Sequence, residues 1–318
     1  MPMDDLEHFA LDRSAAPEHH PIAPDGKVAV VPMQQLGSQI KAQRERRGMT
    51  QDEVAETFDW SQSKVARMEA GEVKVSVNDL RGLFRELRIK STATQNAMLD
   101  TARNIKKIKR DTAYDRLIPL VDRQYWQYEA VATRLATYAC GYLFPEFLQT
   151  EAYAQAVEQT VRTFAPAHCN DEDASLRQRW RQQRAAYFLR PGGPVLDVIL
   201  DEAVLLRKFY DPAATIIRGL QRLNSAEPGD PFNENVTIRL ASFDLSLYGS
   251  SAMVCPYTVL SMNDQPVATR YGWTLNESTS TGRSENVGDF QDDFDRLTLR
   301  VLSPEDTNDR LEKYISAM

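Results

Sequence analysis

Four polar side chains that carry hydrogen-bonding groups lie close together in the stretch "SQSKVARMEAG". They are Gln62, Ser63, Lys64 and Arg67. Gln can pair with adenine through two hydrogen bonds, and Lys or Arg can pair with guanine, each pair adding about 1–3 kcal/mol of discrimination. A helix lying in a major groove with these residues near its start would present them to base edges. The alternative interpretation is a solvated polar face, so the elements around the stretch decide between the two.

The apolar residues around this stretch recur at helical spacing and predict a bundle of five short helices. Thr50 with Glu53 three residues later forms a capping box, Ser61 caps the following helix, and Gly48 and Gly71 each end a helix. Each helix is too short to persist alone, so the bundle depends on its shared core. The apolar positions that predict this core are Leu36, Ile40, Val54, Phe58, Val65, Met68, Leu80, Leu83, Phe84 and Leu87.

The second and third predicted helices are separated only by "FDWS". Such a short connection forces a sharp turn, which is the helix-turn-helix arrangement that places the later helix in the major groove.

Charge is distributed unevenly along the chain, whose net charge is -7. Residues 35–110 contain 16 basic and 10 acidic side chains, net +6, whereas residues 1–34 have net -4 and residues 111–318 net -9. Local positive charge is what neutralises phosphates, while overall charge governs solubility and non-specific association. The basic segment is therefore the one that can contact nucleic acid.

The stretch "LGSQIKAQRERRGMTQDEVAETFDWSQSKVARMEAGE" closely resembles the Cro and lambda-repressor-like family, also called the xenobiotic-response-element type, over roughly residues 35–90. The most specific matches are Thr50, Gln51, Ala55, Ser61, Val65, Glu69 and Gly71. A small helical bundle with an exposed basic face is the competing interpretation, but it does not predict the caps, the turn length and the charge together. Where the family usually has a turn glycine, this chain has Asp59, which tolerates a left-handed backbone better than most residues.

The resemblance implies that Gln51 holds a phosphate and that the residues at the start of the third helix face bases or adjacent phosphates. Basic residues of the first helix are candidates for anchoring the DNA backbone. The predicted DNA-binding residues are Lys41, Arg44, Arg47, Gln51, Ser61, Gln62, Ser63, Lys64 and Arg67.

Residues 111–318 predict a mixed α+β domain with a small sheet between helices. We expect one long helix broken near Pro119 over "YDRLIPLVDRQYWQYEAVATRLATYACGY", then two more helices. Strands are predicted at "PVLDVILDEAVL", "NVTIRLASFD", "PYTVLSMND" and "PVATRYGW", before two final helices at "ENVGDFQDDFDRLTLRVL" and "SPEDTNDRLEKYIS".

The stretches "YEAVATRLATYACGYLFPEFLQTEAYAQAV", "VLDVILDEAVLLRK" and "NVTIRLASF" resemble the sensor domain of WhiJ-type regulators, some of which are antitoxin-like. Glu146 departs from that family, which has glycine there. The resemblance implies transcriptional regulation, often together with a small partner protein.

An aromatic-rich stretch in this half could line a pocket for a small-molecule effector, because such pockets are lined mainly by apolar and aromatic side chains. The equally open alternative is that these rings form ordinary core. The candidate pocket residues are Tyr125, Trp126, Tyr138, Tyr142, Phe144 and Phe147.

Little in the chain suggests catalysis, a cofactor or a metal site. Asp197, Asp201 and Glu202 have side chains suited to acid/base work, but they lie where acidic residues stabilise a helix start. The sequence has four histidines, three of them before residue 21, and three widely spaced cysteines, so neither a histidine triad nor a zinc site is predicted. We expect a non-enzymatic, cytoplasmic protein without a membrane segment.

Together these patterns predict a disordered acidic arm over residues 1–34, a helix-turn-helix DNA-binding domain with a basic linker over 35–110, and a sensor and dimerisation domain over 111–318. The expected function is sequence-specific transcriptional regulation by a homodimer that binds a double-stranded DNA operator. A ligand or partner protein would modulate it through the C-terminal domain. The alternative is an antitoxin-like module that captures a small partner protein and regulates its own operon.

Overall fold

The computed structural model separates the chain into two compact units, which are described in turn. Residues 25–111 form one, called here the helix-turn-helix unit; residues 1–24 and 112–318 form the other, called the α/β unit. The structure describes residues 17–23, 27–108, 114, 117, 123–140, 143–164, 171–206, 213–224, 235–246, 255–271, 278–281 and 285–317.

The helix-turn-helix unit is a bundle of five helices, as predicted. Four of these helices contribute Leu36, Val65, Leu80 and Met98 to one core, in which each is almost fully buried. Because none of the helices would be stable in isolation, burial of this shared core stabilises all five. The helices are α1 (Val30–Arg46), α2 (Gln51–Phe58), α3 (Gln62–Glu69), α4 (Val77–Glu86) and α5 (Thr92–Lys107).

The local signals that define the turn between α2 and α3 are confirmed. Thr50 and Glu53 form the reciprocal capping box, and the Ser61 hydroxyl accepts a hydrogen bond from the Lys64 backbone N–H. Asp59 has φ 53° and ψ 44°, which is the left-handed conformation expected for the position that the family fills with glycine. The chain therefore makes the sharp turn with a residue that carries a Cβ, at a cost in backbone strain.

Close contact between α1 and α3 fixes the orientation of the third helix. A Cβ atom added at Gly37 of α1 would lie 2.5 Å from the Glu69 carbonyl oxygen and 2.6 Å from that of Met68. Only glycine permits this approach, so α3 rests on the backbone of α1.

The α/β unit contains a six-stranded mixed sheet in its described part, with strand order β3-β2-β1-β4-β5-β6. The first three neighbours pair in parallel, and β4, β5 and β6 continue the sheet in antiparallel pairs. The strands are β1 (Arg134–Ala139), β2 (Val195–Asp201), β3 (Val236–Ala241), β4 (Tyr257–Met262), β5 (Gln265–Tyr271) and β6 (Ser278–Thr281).

Helices flank this sheet, which confirms the predicted mixed α+β class. Tyr138, Tyr257 and Phe294 are buried together where α11 packs on β1 and β4. The helices of the unit are α6 (Arg123–Glu129), α7 (Glu151–Phe164), α8 (Asp171–Phe188), α9 (Ala203–Leu206), α10 (Ala213–Asn224), α11 (Glu285–Thr298) and α12 (Pro304–Ser316).

The prediction of one long helix through residues 114–142 is wrong. Only Arg123–Glu129 is helical there among the described residues, and Arg134–Ala139 is β1, a central strand. Its sequence "RLATYA" has two alanines and one β-branched residue, so its own preference for strand is weak. Pairing with β2 on one side and β4 on the other overrides that preference.

The predicted boundaries of the acidic arm also need correction. Helix α1 begins at Val30, so residues 30–34 belong to the helix-turn-helix unit and not to a disordered arm. Residues 17–23 belong to the α/β unit, where His20 is 1% exposed. Residues 1–16 lie outside the described part of the chain.

The strain at Asp59 predicts a stabilising substitution. Asp59→Gly is expected to raise the free energy of unfolding of the helix-turn-helix unit by about 0.5–1 kcal/mol, because glycine adopts the left-handed conformation without a Cβ penalty. Asp59→Val is expected to lower it by about 1–2 kcal/mol, since a β-branched residue is least suited to positive φ. Calorimetric unfolding of the full chain measures both, and equal stability of the two variants would contradict the assignment.

Candidate DNA interface and ligand cavity

The start of α3 presents three of the predicted base-reading side chains to solvent. Gln62, Ser63 and Arg67 are all exposed, and Ser61 forms the N-cap just before them. Arg67 makes an ion pair with Glu72 at 3.4 Å, which its exposure makes weak and easily exchanged for a phosphate or a base. These side chains have the placement that reading bases from the start of a helix requires.

Lys64 lies apart from this exposed set. Its ammonium group lies 3.8 Å from the centroid of the Trp60 ring, and Trp60 in turn stacks on Phe58 with ring centroids 4.6 Å apart. The cation–π contact holds the ammonium group of Lys64 against the turn that precedes α3. The sequence gives no direct signal of this contact.

Gln51 links the exposed face to the interior through two hydrogen bonds. Its Nε2 donates to the Glu69 carboxylate at 2.9 Å, and its Oε1 accepts from Gln62 Nε2 at 2.7 Å. A direct hydrogen bond therefore links Gln51, which is predicted to contact a phosphate, to Gln62, which is predicted to contact a base. The pair pre-orients Gln62, which lowers the entropy lost when it binds.

Arg44 was predicted to anchor the DNA backbone, and the structure corrects this. Its Nε and Nη2 donate to the two oxygens of Glu69 at 2.5 and 2.9 Å, and its Nη1 donates to the Met49 carbonyl at 2.7 Å. Both Arg44 and Glu69 are buried. Arg44 is thus the partner of a buried carboxylate and holds α1, α3 and the start of α2 together.

The other two predicted anchors on α1, Lys41 and Arg47, are exposed. Lys41 lies 3.8 Å from Glu45 on the same helix, a solvent-exposed pair of small energetic value. Both side chains remain available to phosphate.

The α/β unit contains a cavity of about 410 Å³ against β1 and α8. Residues from both faces of β1 line it: Leu135, Thr137 and Ala139 alternate on one face, and Tyr138 and Cys140 on the other. Four of the predicted pocket residues lie on the wall: Tyr125, Tyr138, Phe144 and Phe147. The volume falls in the range of small-molecule sites.

Two predicted pocket residues do not contribute to the described wall. Trp126 does not line the cavity. It is buried, and its ring centroid lies 5.4 Å from that of Tyr125 and 5.2 Å from that of Trp180. It supports the wall from behind as core, which was the alternative interpretation. Tyr142 lies outside the described residues.

The cavity also has a charged wall that the sequence did not predict. Arg184 donates from Nε and Nη2 to both oxygens of Glu129, at 2.8 and 2.9 Å, and from Nη1 to Glu146. Arg181 and Arg270 line the cavity as well. These residues come from α6, α8 and β5, which are far apart in the sequence, so no local motif connects them. The burial of Glu129 and Arg184 becomes apparent only in the folded structure.

His20 completes this buried cluster from the N-terminal segment. Its Nδ1 accepts a hydrogen bond from the Ile22 backbone N–H, so its Nε2 carries the proton and donates to Glu129 at 2.9 Å. The ring contacts Trp180, Tyr187 and Phe188, with centroids 5.1–5.7 Å apart. Residues 17–23 are thereby anchored to the α/β unit.

Burial and charge set the protonation states in the cluster. Burial lowers the pKa of His20, and the guanidinium groups of Arg184 and Arg190 add to this effect, against the raising influence of Glu129. Burial alone would raise the pKa of Glu129, but Arg184 and His20 outweigh it and lower the pKa to about 2. His20 is therefore neutral and Glu129 ionised. Across the cavity, burial together with Asp201 raises the pKa of the Cys140 thiol to about 12.

The three acidic residues considered for catalysis have separate structural partners. Asp197 pairs with Arg134 at 2.7 Å; Asp201 accepts from the Ala203 backbone N–H and from the Tyr138 hydroxyl. Buried Glu202 accepts hydrogen bonds from the Phe243 backbone N–H and the Tyr314 hydroxyl. Asp201 thus caps the start of a helix, as its position in the sequence suggested.

Two family models match the chain. One, described as "Helix-turn-helix domain", matches residues 35–98, and the other, described as "Domain of unknown function (DUF5753)", matches residues 122–313. No curated protein and no solved structure matches the chain. Among the residues that the structure describes, no helix is long and apolar enough to cross a membrane.

The Arg44–Glu69 pair predicts a large effect of removing one partner. Glu69→Ala is expected to lower the free energy of unfolding of the helix-turn-helix unit by about 3 kcal/mol, because it leaves the buried Arg44 charge without its carboxylate. Glu72→Ala, which breaks the exposed pair with Arg67, is the matched control and is expected to cost less than about 1 kcal/mol. Urea unfolding of the full chain measures both.

A double variant separates the loss of a charge from the loss of packing. Arg44→Met with Glu69→Leu removes both charges and is expected to recover part of the stability that Glu69→Ala loses. If the free energy of unfolding of the Glu69→Ala variant were within about 0.5 kcal/mol of that of the wild type, the pair would not hold the unit together.

The lowered pKa of His20 predicts a specific pH dependence of stability. As pH falls through about 6.5, the unfolded chain takes up a proton on residue 20 that the folded chain does not, so the free energy of unfolding decreases. Between about pH 7.5 and 5.5 this single site is therefore expected to lower the free energy of unfolding. The Glu129 contribution is lost only at lower pH, between its ordinary pKa of 4.5 and about 2.

His20→Gln isolates this contribution, because the amide can still donate to Glu129 but does not titrate. Urea unfolding at both pH values should show a smaller decrease in the variant than in the wild type. An identical decrease in both proteins would mean that His20 is not buried in its neutral form.

Proposed function

The chain belongs to the family of the domain of unknown function DUF5753, preceded by a helix-turn-helix domain, and from this premise we propose that it is a sequence-specific transcriptional regulator. The helix-turn-helix domain indicates DNA binding. The observation that carries the proposal is the set of exposed side chains at the capped start of α3, Gln62, Ser63 and Arg67. They lie in the one segment with net positive charge, residues 35–110.

In this proposal the three α3 residues read bases, and Lys64 contacts a base or an adjacent phosphate. Gln51 holds Gln62 in place and contributes a phosphate contact, while Lys41 and Arg47 anchor the backbone. These roles agree with the resemblance to Cro and lambda-repressor-like proteins, except that Arg44 is excluded by its pairing with Glu69.

The second element of the proposal is that the cavity in the α/β unit binds the effector. Its volume and its wall of aromatic rings and charged groups support this role. Regulation requires that a ligand bind one state of the protein more tightly than another. On the cavity wall, Glu129 also contacts the segment that leads to the DNA-binding part of the chain.

That connection is the N-terminal segment. The helix-turn-helix unit, residues 25–111, is inserted between two parts of the α/β unit and is joined to it by the chain at both ends. His20 anchors the first of these connections to Glu129, which lines the cavity. A ligand that draws Arg184 away from Glu129 would change the strength of this anchor, which lies ten residues before α1 begins.

We further propose a homodimer, because two helix-turn-helix units about 34 Å apart reach successive major grooves on one face of DNA. A mass of twice 36.1 kDa in solution is the expected result. Capture of a small partner protein, as in antitoxin-like WhiJ-type regulators, stays a prediction.

We also propose that the protein is not an enzyme. The structural partners of Asp197, Asp201 and Glu202 support this.

Base reading predicts different losses on two kinds of DNA. After selection of preferred fragments from random DNA with the full chain, Gln62→Ala and Arg67→Ala should each weaken binding to the selected site about tenfold or more, with little effect on scrambled DNA. Arg47→Ala should weaken both to a similar extent, because a phosphate contact is independent of sequence. Fluorescence anisotropy at fixed salt measures these affinities.

Arg218→Ala serves as the matched control, since Arg218 is an exposed arginine of the α/β unit. Its affinity should equal that of the wild type on both DNAs. If the triple variant Gln62→Ala, Lys64→Ala, Arg67→Ala retained wild-type affinity and selectivity, α3 would not be the reading element.

A further inference from the structure

We infer that Cys140 and Cys255 form a site of oxidative modification, at which a hydroperoxide converts the two thiols into a disulfide beside the end of β1 and the start of β4. Both residues are reduced in the structure. The inference goes beyond the proposed function and does not depend on it. It is carried by the register of the two strands, by the face on which the thiols lie and by the access that the cavity gives to one of them.

The register of β1 and β4 brings the two cysteines opposite each other. The strands pair antiparallel, and Tyr138 lies opposite Tyr257 in the pair nearest this end. Cys140 lies two residues after Tyr138 and Cys255 two residues before Tyr257, so the same register places the two cysteines opposite each other. Opposite residues of antiparallel strands have Cα atoms about 4.5–5.5 Å apart, within the range of about 4.4–6.8 Å that a disulfide spans.

Both thiols lie on one face of the sheet. Side chains alternate along a strand, so the cysteines share the face of Tyr138 and Tyr257, whose ring centroids are 5.8 Å apart. Cys140 packs against the apolar cluster that contains these two rings. Burial, Asp201 and Cys255 all raise the pKa of the Cys140 thiol, and the effect of Cys255 requires that the two sulfur atoms lie near each other.

The two thiols differ in access, which gives them different roles. Cys140 is half-buried and lines the cavity, so a small oxidant in the cavity reaches its sulfur, whereas Cys255 is 8% exposed. Hydrogen peroxide oxidises the Cys140 thiol to a sulfenic acid and is itself reduced, which releases one water. The Cys255 sulfur then attacks the sulfenic sulfur, and its proton leaves with the hydroxyl group as a second water while the S–S bond forms.

The protonation state of Cys140 sets the rate of this reaction. With a pKa of about 12, which burial raises most, the thiol holds its proton at neutral pH and the reactive thiolate is scarce. The pair therefore responds to sustained exposure to peroxide and not to a brief pulse. The product constrains the cavity wall, because Cys140 and Pro256, the residue after Cys255, both line the cavity.

Mass spectrometry of the oxidised full chain tests the inference. The variant Cys169→Ser removes the third cysteine, so that Cys140 and Cys255 are the two that remain. After prolonged treatment with millimolar hydrogen peroxide, the monomer is expected to have lost two hydrogen atoms and to contain no thiol that can be alkylated after denaturation. Digestion without reductant should give one linked peptide pair that contains both cysteines, and dithiothreitol should restore both thiols. The wild-type chain should show the same pair.

Single variants in the Cys169→Ser background separate the two steps. Cys255→Ala removes the thiol that closes the disulfide, so the sulfenic acid of Cys140 is expected to persist and to be trapped by dimedone. Cys140→Ala is the matched control: with only the buried thiol left, the yield of trapped product should fall at least about tenfold. The unfolding transition of each variant, measured by circular dichroism, shows whether the fold is retained.

Two alkylatable thiols after oxidation of a folded chain would overturn the inference. Oxidation of Cys140 to a sulfinic acid while Cys255 stays reduced would do the same, because a sulfenic acid opposite a thiol condenses first. A disulfide between two chains, or one from either residue to Cys169 in the wild type, would also contradict it. None of these measurements involves DNA, so their failure would leave the proposed function standing.

Discussion

A carboxylate can be buried in a protein only if it is paired and hydrogen-bonded, and in each unit of this chain a buried glutamate joins several elements in this way. In the helix-turn-helix unit Glu69 joins Arg44 of α1 to Gln51 of α2, and Gln51 extends the contact to Gln62 on the exposed face. In the α/β unit Glu129 joins Arg184 of α8 to His20 of the N-terminal segment. Geometry at the surface of each unit therefore depends on an interior ion pair.

The position of Glu129 gives this pairing a functional consequence. The same carboxylate lines the cavity and anchors the segment that leads into α1. In the proposed function, a ligand that binds there would compete with, or add to, the contacts of Arg184 and would thereby change the strength of the His20 anchor. Coupling between two sites requires only that the ligand bind the anchored and released states with different free energies. The cavity, the anchor and the DNA-reading helix would then form one linked system.

The sequence predicted the helix-turn-helix unit in detail because its signals are local: the capping box at Thr50, the cap at Ser61 and the turn length around Asp59. It predicted four of the six strands in the described part of the chain for the same reason, since "VLDVIL" and "TVLSM" have strand character of their own. It failed for β1, whose alanines acquire strand structure from pairing with β2 and β4. It also failed for Arg44 and for the charged wall of the cavity. Whether a charged side chain is exposed or buried depends on residues far away in sequence: Glu69 for Arg44, and Glu129 for His20 and Arg184.

The central claim is that binding of a ligand in the cavity and binding of DNA change each other's affinity. Because this effect must be equal in both directions, it can be measured directly from the ligand side. Affinity of the wild-type protein for anilinonaphthalene sulfonate, a fluorescent probe of apolar cavities, is measured by fluorescence titration without DNA and with saturating selected operator DNA at constant salt. If the two sites are coupled, operator DNA must change the affinity for the probe by the same factor by which the probe changes the affinity for DNA, and we expect about fivefold or more. An identical probe affinity with and without operator DNA would contradict the account.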